Sequence, residues 1–156
     1  MKTHGFEEIL AEHPLFREFD ADTLALLAGC AKNEHFAAGT RIYGEGDGAD
    51  KVYILRHGDV SVEISSPGRG PLIVETLHAG DILGWSWLVP PFQHRSDARA
   101  QSEVRAISLD AACLRGKCDD NPTLGYAMFK HWLPPMARRV TALRMQLLDL
   151  YGPRKG

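Results

Sequence analysis

Between His35 and about Leu109 the chain is cut into short apolar segments by glycine turns. They fall at Gly39, Gly44-Glu45-Gly46-Asp47-Gly48, Gly58-Asp59, Pro67-Gly68 and Gly80-Asp81. This punctuation leaves room for strands but not for a long helix. Val60, Val62 and Ile64 alternate with polar residues, the period of a strand with one buried face. His57-Gly58-Asp59, between Val52–Leu55 and Val60–Ile64, predicts a tight hairpin. Evenly spaced strands of this kind predict a jelly-roll-like β barrel over residues 35–109.

The flanks have a helical period. Across residues 6–31, Ile9 and Leu10 share a face, His13-Pro14 breaks the run, and Leu15, Phe16 and Phe19 continue it. Asp22 is placed to cap a second helix carrying Leu24, Leu27 and Ala28. After Asp110 the helical period returns, with a start at Asp119–Pro122 where a polar cap precedes proline. Pro134-Pro135 predicts a break, hence two helices within 119–151, the second opening near Pro135. In that second helix Met136, Val140, Leu143, Leu147 and Leu150 recur in steps of four and three, a coiled-coil seam of about two heptads. The same stripe also suits a helix packed on its own barrel, and both assignments stay open. The expected fold is α+β: one domain over residues 1–156, a β roll flanked by an N-terminal helix pair and by a hinge and C-terminal helix.

Net charge is −2 with Lys and Arg scattered, which excludes a general nucleic-acid-binding face. Arg138-Arg139 and Arg154-Lys155 are read as solvated helix and tail charges. No apolar run reaches the ~20 residues of a membrane span, and MKTHGFEEILAEH lacks a signal-peptide core. Cys30, Cys113 and Cys118 are an odd, small set without a second ligand pair, read as buried free thiols rather than a zinc site. A cytoplasmic protein is expected.

The stretch Gly80–Ala100, GDILGWSWLVPPFQHRSDARA, carries the candidate site. A glycine turn feeds a strand, Gly84 opens a short helical turn, and a basic-aromatic loop leads to another strand. Free N–H groups at such a turn favour an anion. The expected ligand-binding residues are Gly84, Trp85, Ser86, Trp87, His94, Arg95 and Ser96. Trp85, Trp87 and Phe92 add aromatic bulk, which either fills the pocket or accepts a flat, more apolar ligand.

Order and motifs together resemble the cyclic nucleotide-binding domain family, which includes the sensor domains of catabolite-activator-type regulators, protein kinase A regulatory subunits and nucleotide-gated channels. The resemblance rests on Leu15-Phe16, on Ala38-Gly39-Thr40 through Ile42 with Gly44-Glu45-Gly46-Asp47, and on Val52-Tyr53-Ile54-Leu55 with Gly58-Asp59-Val60. It continues through Gly80-Asp81 before Gly84 and from Asn121-Pro122 to Met136-Ala137-Arg138-Arg139, covering nearly the whole chain. It implies a nucleotide such as cyclic AMP or cyclic GMP inside the roll and no other cofactor. Backbone N–H groups would hold the phosphate, a Glu after the glycine the ribose, and an Arg further on the phosphate charge. Here Trp85 stands at the Glu position, and the Arg position falls on His94 or Arg95.

No catalytic or metal-binding residues are expected. A cupin-type metal site needs converging histidines and a carboxylate, and these histidines are dispersed. No G-x-S-x-G element supports a hydrolase. The chain closes at Tyr151-Gly152-Pro153-Arg154-Lys155-Gly156, so no DNA binding by this chain is expected. The expected function is a non-enzymatic regulatory module sensing a cyclic nucleotide or other small anionic effector, with a homodimer through the C-terminal helix. The alternative is a degenerate domain that binds no nucleotide and serves in dimerisation or protein docking.

Overall fold

Val52-Tyr53-Ile54-Leu55 is buried on both faces, and the architecture follows from that. The computed structural model describes residues 3–152. Helices α1 (Thr3–Glu12) and α2 (Ala21–Ala28) precede eight strands: β1 (Ala31–Phe36), β2 (Arg41–Tyr43), β3 (Lys51–His57), β4 (Val60–Ser66), β5 (Gly70–Leu77), β6 (Ile82–Leu83), β7 (Asp97–Ala100) and β8 (Val104–Asp110). A short 3-10 turn, Trp85–Leu88, follows β6, and helices α3 (Ala111–Asp120) and α4 (Pro122–Tyr151) close the fold. The roll starts at Ala31, ahead of the expected His35, and ends at Asp110.

The strands form two antiparallel four-stranded sheets, ordered β1-β8-β3-β6 and β2-β7-β4-β5. Tyr53 and Leu55 face the roll interior with Val60, Val62, Leu83, Val104 and Ala106. Val52 and Ile54, half a pleat away, join Ile107 and Leu109 in a second core under Leu10, Phe16, Leu27, Leu114, Met128 and Trp132 of the helical layer. The first sheet is thus covered on both sides, which is why β3 reads as a continuous apolar run.

The expected hairpin is corrected. β3 and β4 lie in different sheets and do not pair with each other. β3 pairs β8 and β6, while β4 pairs β5 and β7. Gly58, at φ +87°, turns the chain from one sheet to the other, and a Cβ there would collide with the Glu103 carbonyl. Turn chemistry marks a reversal but not which strand the returning segment joins.

The cysteines are corrected too. Cys30 and Cys113 form a disulfide across 83 residues of sequence, and Cys118 remains free. The pairing Ala31↔Leu109 between β1 and β8 carries the flanking Cys30 and Cys113 together, a proximity invisible in their spacing. Free thiols therefore no longer argue for a reducing compartment.

Two helix expectations also change. Asp20, rather than Asp22, caps α2, accepting the Thr23 N–H at 2.7 Å, and this bond holds its carboxyl below the usual range. Asn121 caps α4 ahead of Pro122 as expected, accepting the Leu124 N–H at 3.2 Å. Pro134-Pro135 does not divide the last segment: α4 is one helix of 30 residues. Each proline forfeits one intrahelical bond. Leu124, Met128 and Trp132 are buried just before the pair, and Arg139 is tied to β5 just after it, so tertiary contacts hold both sides of the lesion. The helix packs on its own fold as far as Arg139, and residues 140–151 are exposed throughout. Arg154-Lys155, the expected tail charges, lie outside the described residues.

No described helix is long and apolar enough to cross a membrane.

Candidate functional site

Gly84 ends β6 at φ +98° and ψ +59°, a left-handed conformation natural to glycine. A Cβ there would stand 3.2 Å from the Lys51 carbonyl and 3.5 Å from the His94 ring, so glycine also permits the close approach of the cassette to β3. The Trp85–Leu88 turn follows, then a loop zipped against the first glycine loop. Ala49 N–H donates to the Phe92 carbonyl at 2.7 Å, Gly46 N–H to His94 at 2.8 Å, and His94 N–H to Asp47 at 2.9 Å. Phe92 has φ +58°, a strained value for an aromatic residue. Arg115 of α3 steadies it, with its guanidinium 4.2 Å from the Phe92 ring centroid and its Nη1 donating to the Trp87 carbonyl at 2.8 Å. Arg115 escaped the sequence reading because nothing local links α3 to the cassette.

Of the seven expected ligand residues, Gly84 and His94 approach each other, whereas Trp87 turns into the helical-side core. Gly84 is buried; Ser86 and Ser96 are half-buried. Trp87 is fully buried in the helical-side core. Trp85 is half-buried and also packs toward α4. His94 is buried inside the roll mouth, whereas Arg95 is exposed.

Two aromatic arrangements organise the site. The His94 ring stacks on Tyr43 at 3.5 Å and 7°. Burial pulls the His94 pKa down, against the opposing pull of Asp47 and Asp50, so the imidazole favours its neutral form. Burial also pushes the Tyr43 hydroxyl up, partly offset by the Arg139 charge and by Ser96. A cavity of about 420 Å³ opens beside the stack, and Asp47, Asp50 and Lys51 supply its full charges. The mouth therefore holds no surplus of fixed positive charge.

The second arrangement joins the cassette to α4. Trp85 and Trp87 each meet Trp132 edge to face, both at 5.2 Å between centroids. Among the described residues the three buried indole N–H groups find no hydrogen-bond acceptor. Edge-to-face packing offers π faces to such donors, a weak compensation. Two turns further along α4, Arg139 clasps Glu75 of β5 with two parallel bonds, Nε–Oε2 at 2.7 Å and Nη2–Oε1 at 2.8 Å. Its guanidinium lies 5.8 Å from the Trp85 ring centroid. Glu75, Arg139 and Trp132 were absent from the sequence-derived site, and only their assembly in space reveals them.

Among the described residues no three His, Cys, Asp or Glu side chains group as a metal site would require.

Residues 33–121 match the family model of the cyclic nucleotide-binding domain. The chain is 26% identical over 144 residues to a CRP-like cAMP-activated global transcriptional regulator of Mycobacterium tuberculosis, covering 92% of this chain and 62% of that protein. It thus spans under two thirds of that relative's length. It is 24% identical over 104 residues to a cAMP-dependent protein kinase regulatory subunit of Eremothecium gossypii, covering 67% of this chain and 22% of that one. A putative cyclic nucleotide-binding protein from Geobacter metallireducens has a similar structure, with TM-score 0.78 and 27% identity over 86% of this chain and 97% of its own.

Proposed function

The chain belongs to the cyclic nucleotide-binding domain family, and on that premise we propose that it is a non-enzymatic regulatory module that senses a small anionic effector and reports it through α4. The observation that carries this reading is the interlock of Trp85 and Trp87 of the cassette with Trp132 of α4. A ligand that shifts the cassette has to shift this junction, and with it a helix whose last stretch, residues 140–151, is exposed. An effector gains influence over a two-state element only by differing in affinity for its states, and on this reading the Arg139–Glu75 clasp, formed here, is the bond that distinguishes them.

Proposed ligand contacts are the backbone N–H groups after Gly84, the Ser86 and Ser96 hydroxyls, and His94 once protonated. Arg95, facing solvent, would act on the approach of an anion. Cyclic nucleotides are the first candidates, since the similar proteins include a cAMP-activated regulator and a cAMP-dependent kinase subunit. The departures weaken the grip on them. A charge-assisted hydrogen bond is worth about 1.5–3 kcal/mol, so lacking a carboxylate for the ribose costs roughly ten- to hundredfold in affinity. Calorimetry with cyclic AMP, cyclic GMP and related anions tests the reading: heat with one supports it, and no heat with any sinks it.

A second reading, a dimerisation or docking module without a ligand, is favoured by the length of the apolar row on α4. Because the helix continues through Pro134-Pro135, the row runs Tyr126, Phe129, Leu133, Met136, Val140, Leu143, Leu147, Leu150 in steps of three and four. That is about three and a half heptads, the length at which a coiled coil is a firm assignment. Seven of the eight are exposed, Met136 being the half-buried one. Sedimentation of Leu143→Asp against the parent chain tests this: a dimer that dissociates supports it, and a parent that stays monomeric at high concentration counts against it.

A further inference from the structure

We propose a second ligand site, outside the roll, that takes an organic monoanion with a compact apolar body, such as an aromatic carboxylate. It is a cavity of about 660 Å³ between α4, the β5–β6 connection and the α1–α2 connection. That volume lies within the ~300–1,000 Å³ of small-molecule sites. Its apolar walls include Leu15, Leu77, Ile82, Pro134 and Trp85.

The floor is built in advance. His13 Nε2 donates to the Gly80 carbonyl at 2.7 Å, while its Nδ1 accepts the Leu15 N–H at 3.1 Å. A carbonyl only accepts and an amide only donates, so these two bonds select the tautomer with its proton on Nε2. The ring straps the α1–α2 connection to the β5–β6 turn and holds two walls at a set distance.

Charge selects the ligand class. The lining carries Lys130, Arg138 and Arg139 against Glu75 and Asp81, a surplus of one positive charge with the histidines uncounted. Arg139 and Glu75 are spent on each other. Asp81 accepts the His78 N–H at 2.8 Å. Lys130 and Arg138 have no ion-pair or hydrogen-bond partner among the described residues, and both line the same α4 wall. One carboxylate satisfies this surplus, and Arg138 has the fork geometry to take it with two bonds. A phosphate dianion would exceed the surplus and meet Asp81. The two prolines, whose missing N–H groups leave helix carbonyls at Lys130 and His131 without their usual donors, put rigid apolar rings beside these cations.

This site shares Trp85 and the Arg139–Glu75 clasp with the cassette–α4 junction, so the ligand series, and not the location, separates it from the sensor reading. Calorimetry of the full chain with 1-naphthoate tests it, alongside neutral 1-naphthalenemethanol and dianionic phenyl phosphate. Naphthoate is expected to bind, with the alcohol and the phosphate each weaker by about tenfold or more. Lys130→Gln with Arg138→Gln is expected to weaken naphthoate by at least about tenfold. Ala142→Trp, at an exposed position of the cavity wall, is expected to abolish naphthoate heat while leaving any cyclic nucleotide heat in place. Absence of naphthoate heat, equal binding of the alcohol or the phosphate, indifference to the double substitution, or loss of both ligands in Ala142→Trp each overturns the proposal.

Discussion

Arg139 of α4 and Glu75 of β5 form a bidentate ion pair, at 2.7 and 2.8 Å, between residues 64 apart in sequence. Both side chains are about three-quarters removed from solvent, so the pair is better shielded than a surface bridge. Arg139→Met leaves the Glu75 carboxylate half-buried without its partner, and we expect a loss of about 1–3 kcal/mol in urea unfolding. Amide exchange over residues 136–150 should quicken in the variant. An unchanged exchange pattern would show that the clasp does not restrain α4.

Trp132 is 1% exposed and is the common neighbour of Trp85 and Trp87. Trp132→Ala removes a buried ring from the junction, and we expect destabilisation of about 3–5 kcal/mol by chemical denaturation. The chain has three tryptophans, and all lie in this cluster. Tryptophan emission therefore reports on the cassette–α4 junction, and Trp132→Ala should shift the emission of the remaining two.

His94 gives a pH signature. Its folded pKa lies below the ordinary ~6.5 because burial disfavours the imidazolium. The unfolded chain then binds the proton first as pH falls, so stability rises with pH across the window. His94's contribution is fully present above about 6.5 and is lost as pH falls toward the folded value. The exposed His78–Asp59 pair acts in the opposite sense, since its hydrogen bond raises His78. Comparing His94→Gln with the parent isolates the first effect: the variant should lose less stability between about pH 6.5 and 5. Equal losses would contradict the buried neutral imidazole.

Trp85→Glu with His94→Arg would restore the carboxylate and the guanidinium that the family resemblance implies for ribose and phosphate. The double variant should bind cyclic AMP at least tenfold more tightly than the parent chain by calorimetry, on the worth of one charge-assisted bond. No gain would mean that Tyr43, stacked against the His94 ring, blocks the roll whatever residues flank it.

What the sequence revealed is local. Glycine turns and alternating Val60, Val62 and Ile64 marked the roll, because a positive φ and a two-residue period are written within a few neighbours. Partnerships across the fold were not legible. The Gly58 turn reads as a hairpin until the pairing of β3 with β8 sends the two strands to different sheets. Cys30 and Cys113 look unrelated until β1 and β8 lie side by side. Pro134-Pro135 reads as a break because proline's cost is local, whereas the contacts of Trp132 and Arg139 that carry the helix through it are not. That continuity is also what extends the seam back to Tyr126. The cassette was visible through Gly84 and Trp85, but its partners Trp132, Arg139, Glu75 and Arg115 sit on other elements.

On the proposed function, a ligand at the cassette is felt by α4 through the Trp85–Trp132 contact. Tryptophan emission followed during a cyclic AMP or cyclic GMP titration, in parallel with calorimetry on the same sample, tests it most directly. An emission change with the same midpoint as the heat is expected. Saturating heat with unchanged emission would place the ligand away from the Trp85–Trp132 junction and contradict it.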